Sequence, residues 1–308
     1  MKKYANFFIC SLLILLFIEI FDHTKLIINI FYEATISWYK NLLPTLFPFF
    51  LITDLLSNYG FVEFISKMFG KIMKLFKLPE KTSYAFFMSM FSGFPGNSKL
   101  IKELLDNNEI TQNDANKLLT LTHFSNPLFI IGTIGIIFLN NQKLGILILI
   151  VHYLTNFING LLFRNIYQEK NIINNKKERK TLPLIKTLLK SINNAINAMF
   201  LIYGIIIFTS LLTNIITINL HLSSFQKSIL TSFLEITQGL KLIVNESITI
   251  SQKVSLITFF LSFGGISIHM QVMGILSDYK INYKIYLLSR IIHASISSLI
   301  IYFILELI

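Results

Sequence analysis

The feature that most constrains this chain is a set of apolar runs about as long as a bilayer is thick. Residues 7–21, 115–139, 144–163, 195–218 and 283–305 are dominated by Ile, Leu and Phe, and a helix needs roughly 20 such residues to cross a membrane. Only 14% of the residues are charged, against about 25% in soluble domains. Most of the chain is therefore dissolved in lipid. The expected fold class is all-α, a polytopic protein of the cell membrane. The run at 7–21 follows Met1-Lys2-Lys3 as a secretion signal would, but Glu19 and Asp22 stand where small cleavage-site residues belong. It reads as a retained helix.

A formal charge of +11 raises nucleic acid as a partner, but its distribution argues otherwise. Eight Lys or Arg fall between Arg164 and Lys190 against two acids, Glu169 and Glu178. A polar connector with that bias between two apolar spans is the mark of a cytoplasmic loop, and no aromatic reader pattern accompanies it. The partners expected are the lipid bilayer and a small solute, with no nucleic acid, and a homo-oligomer is left open. Cys10 is the single cysteine, so no disulfide framework exists.

Residues 61–81 alternate apolar positions with Lys67, Lys71, Lys74 and Lys77 at helical spacing, which describes a helix lying in the membrane interface. Residues 83–94 are apolar, too few to cross, and end in Ser92-Gly93-Phe94-Pro95-Gly96. A re-entrant hairpin is the economical reading. After it, Thr111 and Asp114 form a capping signal for a span interrupted by His123-Phe124-Ser125-Asn126-Pro127. A proline there frees carbonyls that must find partners or line a cavity.

Phe259 to Gly265 echoes Phe86 to Gly93, and His123 follows Gly93 by 30 positions as His293 follows Gly265 by 28. The second re-entrant hairpin is accordingly expected at 254–265. Repeats with interrupted helices are the signature of secondary transporters. If residues 225–244 span, the two hairpins enter from one side; if not, the repeat is inverted, and the polarity of this segment favours inversion. Four units follow: an N-terminal membrane helix and connector (1–40), a first repeat (41–164), a basic cytoplasmic loop (165–194), and a span with the second repeat (195–308).

Polar groups at membrane depth cost about 2.5–3.5 kcal/mol each, so clusters of them mark candidate sites. Substrate-binding candidates are Asn97, Ser98, Lys99, His123, Ser125, Asn126, Ser267, His269, Gln271, Arg290 and His293. Lys99, Arg290, His123 and His269 are expected to hold anionic groups, helped by helix N-termini at the hairpin tips, while Asn126 and Gln271 fix orientation. Glu235 with Thr237 would bind a coupling proton or Na+. The bland alternatives are snorkelling for Lys99 and Arg290 and interhelical hydrogen bonds for the histidines. No metal spacing or nucleophile elbow is present, so no enzyme, metal or cofactor is expected.

Leu43-Pro44-Thr45-Leu46-Phe47-Pro48, Ser92-Gly93-Phe94-Pro95-Gly96-Asn97-Ser98-Lys99, Ser125-Asn126-Pro127-Leu128-Phe129, Leu234-Glu235-Ile236-Thr237 and Ser262-Phe263-Gly264-Gly265-Ile266-Ser267-Ile268-His269-Met270-Gln271 closely resemble the YlbJ (SpoVV) sporulation membrane proteins. These are nucleoside-recognition, or Gate, domain proteins similar to concentrative nucleoside transporters. The resemblance covers about residues 40–300. It implies an inverted repeat with hairpin tips at the site, and dipicolinic acid as solute, moved across the outer forespore membrane where the source organism sporulates. The alternatives are a carrier for nucleosides or another small solute, or a non-transporting membrane scaffold with the same fold.

Overall fold

The computed structural model describes residues 2–167 and 183–307. Most of the basic connector, including Lys170, Lys176, Lys177, Arg179 and Lys180, lies outside the described residues. All regular elements among the described residues are helical, which satisfies backbone groups within each segment, as lipid requires.

Helix α1 (Lys2–Asp22) leads to α2 (Thr24–Ser37), which passes through a wide π turn (Trp38–Leu42) into α3 (Leu43–Asn58). Pro44 stands at the start of α3 and Pro48 about one turn inside it, both without donor N–H groups, and the π turn sits where the hydrogen-bond ladder is interrupted. The expected unit boundary at residue 40 falls within the π turn. The chain then bends by 90° into α4 (Phe61–Met73). There Ile65 and Met73 are buried while Lys67 and Lys71 are exposed, as a helix in the interface should be.

Helices α5 (Thr82–Ser92) and α6 (Gly96–Asp106) pack on each other across Gly93-Phe94-Pro95. Gly93 has φ +68°, and a Cβ there would stand 2.5 Å from the backbone nitrogen of Asn126, so only glycine both makes the turn and permits the approach. The capping box at α7 (Gln112–Leu121) forms as expected: the Asp114 amide donates to Thr111 Oγ1 at 3.1 Å, and the Thr111 amide to Asp114 Oδ2 at 3.0 Å. Such caps contribute about 1 kcal/mol. Helical structure stops after Leu121 and resumes as a π-helical segment, Leu128–Phe138, followed by α8 (Gln142–Leu162).

Helix α9 (Leu184–Asn219) has 36 residues, about 54 Å at 1.5 Å per residue, longer than the hydrocarbon core is thick. Then come α10 (Ser224–Leu234), α11 (Ile236–Val244), α12 (Ile250–Phe263), α13 (Gly265–Ile275) and α14 (Tyr283–Glu306). Helices α10 and α11 pack on each other around a break at Glu235, and at 11 and 9 residues neither arm is long enough to span. The sequence of packed helix pair, interrupted helix and span thus occurs twice.

Residues 254–265, where the second hairpin is expected, belong to a longer helical stretch. Ile250–Ile275 is a 26-residue apolar stretch long enough to cross, interrupted only at Gly264, and the doubled-back pair lies one element earlier. The reason is local. Gly93 is followed by Pro95, whose ring stops the helix, whereas Gly264 is followed by Gly265 and a helix that resumes at once.

Two hydrophobic cores result. The smaller joins α2, α3 and α9 through Ala34, Leu46, Phe50, Ala195, Met199, Ile202 and Ile206. Trp38 Nε1 donates to the Met199 carbonyl at 3.2 Å, and Thr35 Oγ1 pairs with the Tyr203 hydroxyl at 2.8 Å. The larger core runs from α4 to α8 and from α11 to α14. Large apolar side chains such as Phe17, Ile137, Phe200 and Phe303 face outward, where lipid would meet them.

Candidate functional site

Three cavities lie along the seam between the two cores. The central one is small, about 40 Å³, and is lined on one side by Leu42, Thr45, Leu46, Ile202 and Ile206 of α3 and α9, or of the turn that enters α3. The other side comprises Phe94 and Pro95 from the first tip, Ser125, Asn126 and Phe129 from the broken span, Glu235, Ile236 and Thr237 from the second tip, and Ile268 and Gln271 of α13. Both hairpin tips and the break in the first interrupted span therefore meet in one chamber. Solute pockets usually measure about 300–1,000 Å³, while a water needs roughly 10–15 Å³. The chamber holds space for only a few waters.

Two open clefts flank it. One, of about 460 Å³, includes Asp54, Asn58, Lys99, Lys102, Lys190 and Asn194. The other, of about 630 Å³, includes Glu33, Asn41, Thr213, Asn214, Thr237, Gln238 and Lys241. Along α9 the order is Lys190 to Leu201 in the first cleft, Ile202 and Ile206 in the chamber, Thr213 and Asn214 in the second. The clefts sit at opposite ends of the seam.

Of the candidate residues, Ser125, Asn126, Gln271, Glu235 and Thr237 line the chamber. Glu235 is 1% exposed; it caps α11 by accepting the Gln238 amide at 2.7 Å. Gln271 Oε1 is buried without a hydrogen-bond partner. Asn126 is committed to the backbone, donating to the Phe91 carbonyl at 2.8 Å and accepting the Leu128 amide at 2.8 Å. It fixes the tip and the break to each other and has little left for a solute.

The four expected cations are elsewhere. Lys99 faces the first cleft, where its ammonium meets Asp54 Oδ1 at 3.4 Å and the Phe50 carbonyl at 3.3 Å. Arg290 is fully buried, so it does not snorkel; it donates to the Thr120 carbonyl at 2.8 Å and to Ser289 Oγ at 3.1 Å, and pairs with His293 Nδ1 at 3.2 Å. It has no carboxylate partner among the described residues. His293 Nε2 lies 3.0 Å from the His152 carbonyl. His269 Nε2 lies 2.9 Å from the Phe263 carbonyl and its Nδ1 3.2 Å from the Tyr283 hydroxyl. His123 pairs with the Tyr286 hydroxyl at 3.2 Å, stacks on Phe94 with ring centroids 4.6 Å apart, and leaves Nε2 without a partner. Arg290 and the histidines form a buried polar layer behind the chamber.

Asn97, Ser98 and Ser267 are buried in the helix N-termini nearby. Ser98 Oγ donates to the Pro95 carbonyl at 2.5 Å, while Asn97 Oδ1, Ser267 Oγ and Ser92 Oγ are unpartnered. Buried polar atoms are rarely left unpaired, so this concentration beside the tips marks where a solute or water would be accommodated.

Asp54, His152 and Tyr286 were not anticipated. Asp54 is the one acid inside the apolar helix α3, a signal in itself. His152 and His293 each stand ten residues beyond the start of their helix (142 to 152, 283 to 293), with rings 4.9 Å apart. Aligning the repeats by spans rather than glycines would have found the pair.

Residues 39–142 match the Gate family, described as nucleoside recognition. The chain is 28% identical, over 95% of its length and 81% of the relative's, to the "Sporulation integral membrane protein YlbJ" of Bacillus subtilis (strain 168). The resemblance read from the motifs is borne out, as is a multi-pass membrane protein. No solved structure matches the chain.

Proposed function

We infer that this YlbJ-like, Gate-containing membrane protein is a solute carrier. The observation that carries the reading is the narrow chamber between two wide, open clefts, all three on the seam between separately packed cores. Movement of the larger core against α2, α3 and α9 would open one cleft at a time to the chamber, the rocking that repeat-built transporters use. The two hairpins would enter the bilayer from opposite faces as an inverted repeat, which the break at Glu235 supports.

The lining narrows the solute. Among the described residues it contains one carboxylate, Glu235, and no Lys, Arg or His, so the solute that suits it is neutral and carries N–H or O–H donors for Glu235 and Gln271 Oε1 as well as acceptors for Ser125 and Thr237. A nucleoside meets those terms. The likeness to YlbJ proteins favours a second reading, dipicolinic acid. That dianion would need Glu235 protonated or paired with Na+, making this residue the coupling site.

Flux into proteoliposomes, with uridine, adenosine and dipicolinate in parallel at two pH values, separates the readings. Saturable nucleoside uptake is the expected result. Dipicolinate uptake that rises in acid establishes the second reading instead. Movement of none of them removes both solute assignments and favours a membrane scaffold.

A further inference from the structure

The barriers at the two ends of the chamber are built differently. Toward the Lys241 end, chamber and cleft share Thr237, and one polar contact crosses the seam beside it, Gln238 Nε2 to Ser210 Oγ at 2.9 Å. Toward the Lys190 end no lining residue is shared, and a charged clamp joins three elements. Asp54 of α3 accepts Ser191 Oγ at 2.6 Å and Asn194 Nδ2 at 3.2 Å from α9, and meets Lys99 of α6 at 3.4 Å. Asp54 is 9% exposed. Lys99 adds a bond to the Phe50 carbonyl and lies 5.4 Å from the Phe50 ring centroid.

We propose that the Asp54–Lys99 pair is the lock that closes the chamber toward the Lys190 cleft, and that the conformation described here stands nearer to opening at the Lys241 end. The lock lies on the arm of the first hairpin that departs from its tip, so releasing Lys99 frees that arm from α3, which Asp54 ties in turn to α9. An ion pair suits this role because its partners exchange for water at little net cost when the cleft widens, whereas an apolar contact of the same area would be exposed at full cost. This proposal rests on the carrier reading.

The test uses the full chain with Cys10→Ser and a reporter cysteine in the chamber wall, Ile202→Cys, exposed to a membrane-impermeant thiol reagent from either face of oriented vesicles. In the parent, labelling is faster from the Lys241 face. Removing both charges with Asp54→Asn and Lys99→Met together, which leaves no unpaired ion, is expected to raise labelling from the Lys190 face at least tenfold. Asn194→Leu, a milder loosening, raises it less. Unchanged labelling from the Lys190 face in both variants overturns the lock, as does a parent that labels faster from that face. The readout needs no solute, so failure of the lock with flux intact, or the reverse, distinguishes the two ideas.

Discussion

Glu235→Gln reduces solute flux at least tenfold while leaving the protein folded in the membrane. The substitution keeps the size of the side chain and an oxygen that can accept the Gln238 amide, now made at 2.7 Å, so the start of α11 survives. Lost caps cost about 1 kcal/mol in any case. What disappears is the charge on the chamber wall, and a charge-assisted hydrogen bond to a solute is worth roughly 1.5–3 kcal/mol, where tenfold corresponds to about 1.4. Initial rates per reconstituted protein decide the matter, alongside a thermal melt in detergent. Parental flux in Glu235→Gln would show that Glu235 is only a cap.

Gly239→Val prevents the second hairpin from closing. A Cβ at position 239 would lie 2.2 Å from Ser232 Cα and 2.4 Å from its nitrogen, and backbone cannot step aside as a side-chain end can. Overpacking usually costs about 1–3 kcal/mol, and an obstruction by backbone belongs at or above the top of that range. Loss of the folded fraction in a detergent melt, with flux abolished, is the expected outcome. Gly204→Ala on α9 is the matched control: nothing lies within 4 Å of its would-be Cβ, and alanine favours a helix by up to about 1 kcal/mol. Equal melts for the two variants would refute the close contact between α10 and α11.

These effects come from parts of the fold that differ in how far they can be read from sequence. Spans are legible because lipid enforces length and apolarity together. The first tip is legible too, since Gly93 and Pro95 cannot continue a helix. The second tip is not marked that way: Glu235 breaks the chain by capping the next helix, with neither glycine nor proline at the break, and the Gly264-Gly265 pair drew attention to a span instead. The chamber was half visible. Ser125, Asn126, Gln271, Glu235 and Thr237 stand at breaks, and breaks meet. The cations stand outside the chamber lining, because a single sequence gives the periodicity of a helix but not which core its polar face turns to. Lys99 follows Gly96 by one turn and faces Asp54 across the seam, while Arg290 and His293 share a face of α14 that looks toward α8.

Trp38 gives the seam a spectroscopic meaning. It is the single tryptophan of the chain, and it sits within the smaller core, tied to Met199 and packed on Phe200 and Tyr203. Intrinsic emission therefore reports on the smaller core alone. A saturating solute that rocks the larger core leaves the emission maximum where it was, and a solute-dependent shift would mean that the frame itself bends.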